Sequence, residues 1–222
     1  MKSLKNSSHN SLSEGENLND FIVENDHPCV MAQTVFKTKA VSHYKFDTIE
    51  NPSNDLAIIH RLKNYLESYD FNSKKFQTFI VEFTDSYSKS ELEFEKDLWA
   101  FLERLKKHDK CEWDPSVSSD VYDTNYSYSL LGNAFYIIGM HPNSSRNARS
   151  TENVTLVFNL HHQFEILRQM GVYTNVRDRI RKRDEEKNGS INPMLADFGK
   201  SSEALQYSGR NITEKWECPF KH

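Results

Sequence analysis

After the turn cluster Asn51-Pro52-Ser53-Asn54, the apolar positions Leu56, Ile59, Leu62, Leu66 and Tyr69 recur at three- and four-residue spacing, which predicts an amphipathic helix. A second helix is predicted where Ser90 and Glu93 form a capping box ahead of Phe94, Leu98, Phe101, Leu102 and Leu105, ending near His108. Between them FQTFIVEF, Phe76 to Phe83, is aromatic and β-branched and reads as a strand. Ala134 to Met140 and Thr155 to Leu160 read as two buried strands. The second runs into HQFEILRQM, helical in pattern and stopped by Gly171. Another helix begins near Asn175 and stops at Asn188-Gly189. Pro28 is placed to open a helix as its first residue, with a short strand over CVMAQTVF as the alternative.

Elsewhere the pattern weakens. Residues 1 to about 19 are Ser-, Asn- and charge-rich with few bulky apolar groups, so a disordered tail is expected, followed by one domain over 20–222. Residues 111 to 129 carry turn formers and suggest a long ordered loop. From Ile191 onward periodicity is weak, and the stretch reads as a wrapping C-terminal tail. Strands and helices do not alternate strictly, so the expected fold is α+β: a single domain with a mainly antiparallel sheet and flanking helices.

Composition sharpens this only in places. The 222 residues are 27% charged with a formal charge of -4, which supplies no global basic field for nucleic acid or an acidic membrane. No apolar run approaches the roughly 18 residues of a membrane span, and no secretory leader is visible, so a cytoplasmic protein is expected. Cys29, Cys111 and Cys218 are widely spaced and form no CxxC pair, which argues against a disulfide framework or a cysteine zinc site. Walker, GxGxxG, GxSxG and HExxH motifs are absent.

Candidate chemistry concentrates between Phe135 and Arg168. His141 follows an apolar strand and precedes Pro142, which suits a metal ligand or general base; a histidine that merely ends a strand is the commoner outcome for that residue type. His161 and His162 lie at a strand-to-helix junction and point about 100° apart, so they cannot readily chelate one metal together. Glu165 shares a helix face with either and serves as an orienting partner or a plain surface pair. Arg146 and Arg149, in a loop with Ser144 and Ser145, suit carboxylate or phosphate oxygens, as a solvated turn also would. The arginines from Arg177 to Arg183 are interleaved with acids and read as a solvated face.

Taken together, His27-Pro28-Cys29, GMHPNSSRNAR, TLVFNLHHQFEILR, the RIRKRD helix, NPMLADFG, SEALQYSGR and WECPF resemble the YqcI/YcgG family from about residue 21 onward. The resemblance implies a haem-dependent oxygenase that uses dioxygen and an electron donor to N-hydroxylate an amine or guanidino-containing small molecule, with haem b as cofactor. It implies His141 as axial iron ligand, with His161 as the competing ligand or a catalytic group beside Glu165. Arg146 and Arg149 become propionate partners, Cys29 a wall of the haem pocket, and Tyr207, Arg210 and Trp216 a closing tail; His162 falls at a variable position. Ser150 stands where the family pattern carries a second basic residue. A guanidinium substrate would need an acid, and Glu165, Glu203 and Asp197 are the nominees. A haem sensor or carrier without turnover, and a haem-free module binding small anions, are the alternatives.

Overall fold

The computed structural model describes residues 16–86, 90–194, 196–212 and 215–219. The helices with strong apolar spacing form where that spacing lies. Asn51 accepts the Ser53 N–H at 3.0 Å and starts a 3₁₀ turn that leads into α3 (Asp55–Ser68), which buries Ile58, Leu62 and Tyr65. Ser90 Oγ accepts the Glu93 N–H at 3.2 Å and donates to Glu93 Oε2 at 2.8 Å, so the capping box opens α4 (Glu91–His108). Ahead of them lie the single turn α1 (Glu16–Asn19), a π-helical turn over Asp20–Glu24, and α2 (Val30–Lys37). The helical reading after Pro28 is therefore correct in kind, but Cys29 is the cap and Pro28 lies outside the helix. Of the expected disordered tail, residues 1–15 fall outside the described residues, and Glu16–Asn19 is helical with Leu18 buried.

Five strands form one sheet in the order β1-β2-β5-β4-β3: β1 (Val41–Phe46), β2 (Thr78–Phe83), β3 (Tyr128–Leu130), β4 (Asn133–Met140) and β5 (Val154–Leu160). Only β1 and β2 pair in parallel, across α3; the other three pairings are antiparallel. The chain thus forms an α+β domain with a mixed, mostly antiparallel sheet. α5 (His161–Gln169) continues directly from β5, and α6 (Tyr173–Asn188) ends where Gly189 takes a φ of 73°. α7 (Ala204–Tyr207) is a single turn in the C-terminal segment. No helix among the described residues is long and apolar enough to cross a membrane.

Strand alternation gives the sheet two unlike faces. Phe79, Val81, Phe135, Ile137, Leu156 and Phe158 point to α3 and α4 and join their apolar stripes in a continuous core. Close approach there depends on Gly139, where a Cβ would stand 2.6 Å from Leu98 Cδ1 and 2.7 Å from Phe94 Cζ. The other face carries Ile80, Met140, Ile138 and Val157 and meets only a smaller cluster with Leu18, Ile22, Val41 and Phe36. That face is incompletely filled, and the space left is the site.

Candidate functional site

A cavity of about 290 Å³ lies between the second sheet face and a rim built from the N-terminal segment, α2, α5, α6 and the chain from Asn192 to Gln206. Its floor is Ile80, Ile138, Met140 and Val157, and Phe164, Leu167, Val176 and Ile180 extend the apolar surface. The exposed surface of the lining is mainly apolar, as in sites that take small molecules, although many polar side chains stand in it. They include His27, Cys29, Asn159, Glu203, Gln206 and the arginines at 146, 149, 168, 177 and 181.

The rim is pinned mainly by α6. Arg183 donates to Asp26 Oδ1 at 2.7 Å and to the carbonyls of His27 and Pro28 at 3.1 and 3.2 Å, which fixes the turn carrying His27 and Cys29. Arg177 and Arg181 donate to Asp197 at 2.5 and 3.1 Å, which fixes the opposite lip. Three arginines of the expected solvated face are thus spent inside the molecule. His27 Nε2–H donates to the Ala148 carbonyl at 3.0 Å, and Nδ1 accepts the Cys29 N–H at 3.1 Å. Burial holds this imidazole down at about 4, so it is neutral near pH 7. Cys29 Sγ accepts the Ala32 N–H at 3.4 Å at the N-terminus of α2, while burial pushes its thiol up.

Arg149 is placed in the cavity wall, 8% exposed. Its guanidinium donates to the carbonyls of Gly139, Gln206 and Tyr207 at 2.8, 3.3 and 3.3 Å, and no carboxylate among the described residues lies within ion-pair reach. Arg146 also lines the cavity but is paired with Asp184 at 2.6 Å and donates to the Ser190 carbonyl at 2.8 Å.

His141 is placed elsewhere. It continues the parity of Ile137 and Gly139, so its ring points to the filled face and stacks on Phe94, centroids 4.3 Å apart at 24°. It is 0% exposed, neither ring nitrogen has a hydrogen-bond partner among the described residues, and burial pushes its pKa down. The Phe135–Arg168 stretch therefore divides between both sides of the sheet. His161, the first residue of α5, lies beside the cavity with its ring 4.5 Å from that of Phe198, a lining residue. Its Nε2 stands 3.2 Å from Glu165 and its Nδ1 4.0 Å from Glu203, and burial lowers its pKa. His162 turns away and bonds the Phe71 carbonyl at 2.9 Å.

The tail residues do not cover the cavity. Arg210 and Trp216 bind Glu95 of α4 at 2.7 and 3.3 Å, and Tyr207 stacks on Trp99 within the filled core. Polar cavity groups that received no role from the sequence include His27, Tyr136, Asn159, Asp184 and Gln206. Alternation along β4 carried part of this information, because it separates Tyr136, Ile138 and Met140 from His141.

No group of three or more potential metal ligands occurs among the described residues. Compared with known families, the chain is matched over residues 18–221 by the model of the YqcI/YcgG family. No curated protein and no solved structure matches it.

Proposed function

The chain belongs to the YqcI/YcgG family, and on that footing we propose that it is a haem-dependent oxygenase that N-hydroxylates an amine or guanidino-containing small molecule. The observation that carries this reading is the apolar cavity with buried Arg149 in its wall and Glu203 at the same lining.

The lining suits a porphyrin in three respects. Its aliphatic and aromatic surface matches a flat apolar macrocycle, and Arg149, without a carboxylate of its own, is a partner for a propionate. Donor atoms come from the turn that Arg183 holds: His27 and Cys29 are the imidazole and thiol among the described lining residues. Of that turn, Cys29 would be the residue to hold the iron, because both His27 ring nitrogens are hydrogen-bonded and His141 lies under Phe94 on the other side of the sheet. Bound there, haem would supply dioxygen activation, with electrons from an external donor.

The protein's own part is binding, orientation and exclusion of water. Ile80, Ile138 and Val157 keep the reacting region dry, and Gln206 Oε1 holds the Tyr136 hydroxyl at 2.8 Å. His161 stands between Glu165 and Glu203, its Nε2 3.2 Å from the first and its Nδ1 4.0 Å from the second. Arg146 is committed to Asp184, so of the two loop arginines Arg149 is the one left for an anion.

The test is the absorption spectrum of full-length protein expressed with ample haem precursor, before and after dithionite and carbon monoxide. A Soret band that moves with carbon monoxide is expected. Cys29→Ala or His27→Ala should change its position or remove it, and His141→Ala should leave it in place. Colourless protein overturns the proposal, and a haem spectrum indifferent to carbon monoxide makes the protein a carrier or sensor instead.

A further inference from the structure

Among the described residues three acidic side chains line the cavity, Asp184, Asp197 and Glu203, and their circumstances differ. Asp184 is paired with Arg146, Asp197 is held by Arg177 and Arg181, and Glu165, beside the cavity, accepts from Arg168. Glu203 is 6% exposed, lines the cavity, and its Oε2 has no hydrogen-bond partner among the described residues.

Ser127, Tyr207 and Arg168 stand near enough to ease its charge, but each has another partner. The Ser127 and Tyr207 hydroxyls donate to the Phe135 carbonyl at 3.1 and 3.3 Å. Arg168 is spent on Glu165, with its guanidinium 4.6 Å over Tyr173 and 5.6 Å over Phe198. His161 stands 3.2 Å from Glu165 through Nε2 and 4.0 Å from Glu203 through Nδ1, too far to satisfy that carboxyl with a hydrogen bond. A buried carboxyl is costly without a full set of donors, and among the described residues Oε2 has none.

We propose that Glu203 anchors a cation subsite, in which Oε2 accepts N–H from an ammonium or guanidinium head group while the aliphatic cavity wall takes the apolar remainder. This rests on reading the cavity as the substrate site, and it names the residue that selects for charge there. Burial pushes Glu203 up to about 8, against the pull of Ser127 and Arg168, so the empty site holds a neutral acid. An incoming cation displaces that proton to solvent and leaves a paired carboxylate.

The experiment uses n-butylguanidinium and its neutral near-isostere n-butylurea, titrated calorimetrically into full-length protein as purified. A charge-assisted hydrogen bond in a dry site predicts about tenfold to a hundredfold preference for the cation. Glu203→Gln should bring the two probes to within about threefold by loss of cation affinity alone, the remainder expected of neutral hydrogen bonding. Glu203→Leu should do the same and melt no lower than wild type, because it removes an unsatisfied buried group. Retained preference in Glu203→Gln, absence of binding to wild type, or unfolding of Glu203→Leu each overturns the subsite. Spectra of the same preparations separate the two proposals. Intact cation preference without a Soret band removes the haem reading alone, and a Soret band with unchanged preference in Glu203→Gln removes the subsite alone.

Discussion

At the scale of single residues, a buried acid is conspicuous for its effect on pH dependence. Glu203 titrates near 8 in the folded chain and near an ordinary carboxyl value when unfolded. Between those values the folded state holds a proton that the unfolded state has lost, so stability falls as pH rises through that window and is greatest below it. From pH 5 to 7 this single group should remove about 2–3 kcal/mol. The measurement is the difference in urea stability between wild type and Glu203→Gln across that range; a difference that stays flat or rises with pH removes the argument. Residue types alone nominated Glu203 equally with Glu165 and Asp197. What separates them is which neighbours are already occupied: Arg168 meets Glu165 one turn away within α5, whereas Arg177 and Arg181 reach Asp197 through tertiary packing.

At the scale of elements, α4 lies against β4 because Gly139 leaves room for Leu98 and Phe94. An added methyl must displace both, and Phe94 in turn carries the His141 ring. Gly139→Ala should therefore cost about 1–3 kcal/mol in chemical denaturation. Retention of full stability would show that α4 can shift at no cost. The elements α3, α4, β4 and β5 were legible because each buries a regular stripe, β2 because its aromatic and β-branched run is buried throughout, and α6 from its Asn188-Gly189 stop, since Asp184 is the buried residue there. β1 was not, since VSHYKF is half-buried along its whole length and mixes His43 and Lys45 with aromatic residues. β3 escaped because three residues carry no period. The site was legible only in fragments: its floor follows from strand alternation, whereas the His27–Cys29 turn and Glu203 join it from segments with no regular pattern.

For the whole molecule, the contrast between a filled and a hollow sheet face predicts unequal tolerance of truncation. Leu98→Ala, with the side chain fully enclosed, should cost about 2–5 kcal/mol. Ile138→Ala removes methylenes that already border empty space and should cost less than half as much, because fewer packing contacts exist to be lost. Urea denaturation of the two variants checks this, and equal losses would mean that the cavity is closed in solution.

The pins between α6 and the 25–29 turn also set an order of events during synthesis. Lys187 donates to the Asn25 carbonyl across 162 positions of sequence, and Arg183 reaches Asp26 across 157. At ribosomal rates of about 5–20 residues per second, roughly 8–30 s separate the emergence of the two halves of this clasp. The α3–α4 layer can assemble on β1 and β2 during that interval, while the rim of the cavity waits for α6. The nascent chain therefore acquires its scaffold before its binding chamber, and any guest that occupies the chamber enters or is enclosed at the end of the process.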